Sequence, residues 1–94
     1  MSRRLGVIGI VVHNPQTISD KVNLLISGYS HMIIGRMGIP RPEESVGIIS
    51  LIVEGSTDEI GALTGKLGLL PGVTVKSALT GKKSIVKEEP LNDQ

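Results

Sequence analysis

Leu5-Gly6-Val7-Ile8-Gly9-Ile10-Val11-Val12, closed by His13-Asn14-Pro15, decides how this chain of 94 residues folds. The apolar run is short, rich in β-branched side chains and stopped by an Asn-Pro pair, which reads as a buried strand rather than a helix. A second run of the same kind, Val46-Gly47-Ile48-Ile49-Ser50-Leu51-Ile52-Val53, lies past the middle of the chain. Neither is long enough to span a bilayer. Met1-Ser2-Arg3-Arg4 has the outline of a signal peptide's start, but the run behind it breaks at His13-Asn14-Pro15 without a small-residue cleavage site. A cytoplasmic protein with no membrane partner is expected.

Between the two runs the period changes. Ile18, Val22, Leu25, Ile26 and Tyr29 recur at spacings of three and four, one apolar stripe of a helix that Gly28 and Ser30 end. Its start has two readings: Asn14 caps with Pro15 at the first helical position, or Thr17 caps with Asp20 three residues on. His31 to Ile39 then reads as a strand in which Gly35 and Gly38 mark bends or bulges and a place at the sheet edge. Pro40-Arg41-Pro42-Glu43-Glu44 is a stiff polar connection to the second apolar run. After that run, Ser56-Thr57-Asp58-Glu59 has capping-box spacing and opens a second helix, with Ile60, Leu63, Leu67 and Leu70 as its stripe. Pro71-Gly72 turns the chain into a last strand, Val73 to Leu79. Residues 80–94 read as a polar tail, with Ile85 and Val86 its candidate docking points.

The order βαββαβ with right-handed crossovers predicts an α+β fold, a ferredoxin-like two-layer sandwich over residues 1–79, with the two apolar runs as central strands of an antiparallel sheet. Helices cover one sheet face only, yet both central strands are apolar on both faces. Alternation divides them into Ile8, Ile10, Val12 with Ile49, Leu51, Val53, and Val7, Gly9, Val11 with Ile48, Ser50, Ile52. The second sets contain Gly9 and Ser50, which suit a flat surface, so they are expected to face away from the helices. Val7, Val11, Ile48, Ser50 and Ile52 are therefore the candidate interface of a homo-oligomer, a dimer or a tetramer. A chain this small, with no cysteine to staple it, gains most from such cover.

Composition narrows the function. Lys+Arg 10 against Asp+Glu 9 leaves a net charge of +1, without the basic field that binds phosphate backbones. The core is aliphatic and Tyr29 is the single aromatic residue. RNA-recognition domains share this strand order but stack bases on aromatics of the central strands, which are absent here. No direct nucleic-acid partner is expected. His13 and His31 have no second group at ligand spacing, so neither a metal nor another cofactor is expected. No serine lies in a nucleophile-elbow sequence, and the glycine-rich anion loop and arginine of acylphosphatases, which share the strand order, are missing. A non-enzyme follows; the alternative is a small oligomeric ferredoxin-fold enzyme with Arg36 or a histidine in an interfacial pocket.

Two features invite a ligand. Arg36 stands in a strand between Gly35 and Gly38, where its guanidinium can grip a carboxylate bidentately or simply serve as the charge that keeps an edge strand from aggregating. Gly61, Gly65 and Gly68 line one side of the second helix, where each costs about 0.5–1 kcal/mol against alanine. Close packing by the first helix or another subunit compensates in one reading, and a small ligand against exposed backbone in the other. Gly68 can also be a left-handed cap.

Arg36-Met37-Gly38-Ile39-Pro40, Ile60-Gly61-Ala62-Leu63-Thr64-Gly65-Lys66-Leu67-Gly68 and Pro71-Gly72-Val73-Thr74-Val75-Lys76 together resemble the small ACT-like proteins assigned as regulators of iron-only hydrogenase systems. The likeness runs over about residues 3–79 and is most specific in the second helix and last strand. It implies a fold akin to the ligand-sensing domain of nickel-responsive repressors, a regulatory role, and a small amino-acid-like ligand near the first strand-to-helix turn. The matching positions are His13, Asn14, Gln16 and Thr17. The cysteine and histidine cluster that hold nickel in those repressors are missing here. With no DNA-binding segment ahead of the domain, regulation is expected to act through an unknown partner protein.

Overall fold

Alternation along the two apolar runs sets the layers. In the structure, a computed structural model describing residues 3–81, the first run forms β1 (Arg4–His13) and the second β3 (Val46–Gly55). They pair antiparallel with Ile8 opposite Leu51 and Val11 opposite Ile48. β2 (Ile33–Arg41) joins the free side of β3, and β4 (Val73–Leu79) the free side of β1, giving the order β2-β3-β1-β4. Helices α1 (Pro15–Gly28) and α2 (Thr57–Gly68) complete the βαββαβ order of a ferredoxin-like fold.

The inward set is the expected one. Ile8, Ile10, Val12, Leu51 and Val53 are buried with Ile18, Val22 and Ile26 of α1 and Ile60, Leu63 and Leu67 of α2. Ile49 and Leu70 are half-buried at the margin of this core. Ser56 caps α2 by accepting from the Glu59 amide, while the Glu59 carboxylate accepts from the Ser56 amide at 3.1 Å. The predicted capping box is present in full.

Several boundaries differ from the sequence reading. Helix α1 takes the Asn14 start, with Pro15 as its first residue, but the Asn14 side chain makes no cap bond. Asn14 instead sits in the left-handed region at φ 52°, which asparagine tolerates, and its amide donates to the Ser45 carbonyl. Thr17 donates its hydroxyl to the Asn14 carbonyl, tying the turn from inside. His31 does not open β2: it belongs to a 3-10 turn, Ser30–Met32, formed because Met32 has to reach back into the core. β2 then runs two residues further than expected, through Arg41, with its register shift between Ile33 and Gly35. Gly68 is not a left-handed cap; the positive-φ glycine of this connection is Gly72, at φ 76°. Ile85, Val86 and most of the expected tail lie outside the described residues.

Candidate functional site

The residues expected to meet a ligand fall in three separate places. His13, Asn14, Gln16 and Thr17 surround the β1-to-α1 turn, all exposed. This end of the sheet is tied by backbone: the His13 amide donates to Gly72 and the Asn14 amide to Ser45, each at 2.8 Å. Gly61 and Gly65 lie on the outer face of α2, where a methyl group at either, or at Gly68, would touch nothing within 4 Å. Helix α1 does not pack on that glycine stripe. Arg36 occupies a third place, on the helix-facing side of β2 opposite Leu51.

At Arg36 the strand pattern builds a cleft. Residues 36, 38 and 40 of β2 and 47 and 49 of β3 share the helix-facing side, and three of these are Gly38, Pro40 and Gly47. Where larger side chains would fill the space under α1, the glycines leave a depression of about 190 Å³ lined by Asn23, Arg36, Pro40 and Ile49. Ile39 and Ile48 also line it, although their side chains alternate to the opposite sheet face. The Arg36 guanidinium donates to Asn23 Oδ1 at 2.6 Å, so one face of α1 fixes it over the cleft. Among the described residues no carboxylate pairs with it.

Asn23 was not legible as a site residue. It is a polar position beside the buried Val22 on α1, and helical spacing places it next to the stripe but cannot say what stands across from it. A second polar cluster was also missed. His31 Nε2 meets Glu59 Oε2 at 3.0 Å, and the Tyr29 and His31 rings stack with centroids 6.3 Å apart. Lys66 donates to the Tyr29 hydroxyl at 2.8 Å. Hydrogen bonds from the Ser56 backbone and from His31 hold the Glu59 carboxyl below its ordinary pKa. This cluster joins the end of α1 to α2, from Glu59 in its first turn to Lys66 in its last. Among the described residues, no three His, Asp or Glu side chains converge as metal ligands, and no helix is long and apolar enough to cross a membrane.

On the opposite sheet face the alternate side chains stand open. Ile48 keeps 41% of its surface exposed, Ile52 45%, Met37 63% and Ile39 52%. Ile48 is at the centre, with Val11 opposite on β1 and Ile39 opposite on β2. Lys76, opposite Gly9, brings a charge to the β4 side of this face.

The half-covered antiparallel sheet with two helices on one side makes this a small ferredoxin-like α+β domain, with one arginine fixed in a small cleft. Residues 4–77 match the model of the TM1266-like family, described as "Iron-only hydrogenase system regulator, putative", and the chain belongs to that family. It is similar to the uncharacterized protein TM1266 from Thermotoga maritima, at 38% identity and TM-score 0.81 over 85% of this chain and 100% of that one. The likeness to SnoaB, a cofactor-independent oxygenase from Streptomyces nogalater, is one of fold alone: 9% identity and TM-score 0.51 over 93% of this chain and 100% of that one. No curated protein matches the chain.

Proposed function

We propose that this chain is a non-enzymatic, ACT-like regulatory module of an iron-only hydrogenase system. It acts as a homo-oligomer whose input is a small molecule and whose output passes to a partner protein. The observation that supports this best is the open sheet face. Four large aliphatic or thioether side chains, Met37, Ile39, Ile48 and Ile52, are exposed on adjacent strands. A contiguous apolar patch of this kind on so small a domain marks an interaction site. A second copy of the same chain fits it, because the face is flat at Gly9 and Ser50 and two such sheets can approach to about 10 Å. The regulatory role comes with the family to which the chain belongs.

Light scattering of the full chain at micromolar concentration tests the assembly. A mass of at least twice the monomer is expected. A stable monomer across that range would refute the sheet-face assembly.

A further inference from the structure

We infer that the Arg36–Asn23 cleft is a binding site for a small monocarboxylate with a short, compact apolar body. The inference rests on the regulatory reading above, for which it supplies the chemical class of the input, and it stands on three observations. First, the guanidinium is held rather than free: Asn23 Oδ1 accepts one of its N–H groups at 2.6 Å, which orients the planar fork and leaves the other donors for a ligand. Second, among the described residues no carboxylate pairs with it: Glu59 meets His31 and Glu43 meets Arg41, both elsewhere.

Third, the space beside it is apolar and of ligand size. The cleft has a volume of about 190 Å³ between β2, β3 and α1, room for a carboxylate with a short apolar body. Pro40 and Ile49 supply the apolar walls, and Gly38 and Gly47 keep the floor open. A Cβ at Gly38 would stand 3.9 Å from the Ile48 carbonyl oxygen, so a side chain is sterically allowed there and would occupy the cleft.

The cleft also lies behind the open face. Residues 38–40 and 47–49 carry the ligand floor on one side and the Ile39 and Ile48 side chains on the other. A ligand that stiffens this strand pair acts on the surface that meets a second copy.

The test uses the full chain with 3-methylbutanoate as probe and the isosteric 3-methylbutanamide as its uncharged control, read by thermal unfolding. Melting temperature should rise with acid concentration as a single-site linkage curve and stay flat with the amide. Arg36→Gln should weaken the acid response about tenfold or more, since a charge-assisted bidentate contact is lost. Asn23→Ala, which leaves the charge and frees the fork, should weaken it by less. Equal shifts with acid and amide, an unchanged response in Arg36→Gln, or no shift with the acid would each overturn the site. Mass measured without probe separates the two proposals. An oligomer that ignores the acid sinks the cleft alone, and a monomer with an Arg36-dependent response sinks the assembly alone.

Discussion

Ile48→Lys is the sharpest perturbation of the open face, because Ile48 has Val11 on one side and Ile39 on the other. Ile39, Ile48, Ile52 and Met37 retain 52%, 41%, 45% and 63% of their surface, together about two whole side chains' worth per subunit. At roughly 1.5–3 kcal/mol for each fully buried side chain, covering them contributes about 3–6 kcal/mol per subunit and about twice that in a symmetric pair. Association costs about 4–15 kcal/mol, so the balance is close and a single central residue decides it. Ile48→Lys removes about a fifth of the apolar gain on each side. It also places an ammonium in the middle of an apolar patch, where burial on assembly carries a desolvation penalty of several kcal/mol per ion. Sedimentation equilibrium should show dissociation strengthened by a hundredfold or more, about 3 kcal/mol. The fold should survive, since Ile48 is outside the buried core, and far-ultraviolet circular dichroism should be unchanged. An unaltered mass in Ile48→Lys would show that the copies meet through another surface.

Two further predictions concern stability. Glu59 has a folded-state pKa below its unfolded one, so the stabilisation it gives is present above the ordinary carboxylate range and is lost as pH falls through the lowered value. In urea titrations the gap between the wild type and Glu59→Gln should therefore narrow below about pH 4, and a gap independent of pH would refute the coupling. Gly72→Ala should cost about 1–2 kcal/mol from its positive φ alone, with added crowding because the new Cβ would lie 3.1 Å from the His13 carbonyl oxygen. Equal urea midpoints for Gly72→Ala and wild type would refute that reading.

What was legible in the sequence was whatever a local pattern enforces. The period-2 alternation of β1 and β3 separated their faces because Gly9 and Ser50 mark one set as flat, and those faces are the observed ones. The Ser56–Glu59 box was legible because both its bonds close within three residues. The start of α1 was not, since two capping sequences overlap and the choice falls to the Asn14–Ser45 backbone bond across the chain. His31 was misplaced for a similar reason: burying Met32 demands a tight turn, and nothing in Ser30-His31-Met32 announces it. The Gly61–Gly65–Gly68 stripe suggested close packing, yet it faces open space in the single chain. The sequence singled out Arg36 but not Asn23, which meets it only because α1 crosses β2 at that level.

Gly38 and Gly47 connect these observations. On the helix-facing side they open the cleft, and as strand residues they keep Ile39 and Ile48 in register on the other side. Gly38 is in an edge strand, where an interior glycine weakens pairing and leaves the strand freer to shift than β1 or β3. A ligand bridging Arg36 on β2 to α1 would hold that strand against the helix layer, and so would fix the position of Ile39 on the opposite face. Any ligand that binds the assembled form better than the monomer must, by linkage, tighten assembly by the same factor. The two proposals are thus joined by one strand pair: filling the Gly38 position with a side chain, as in Gly38→Val, occupies the cleft without touching the apolar face. Its effect on assembly mass measures the coupling directly.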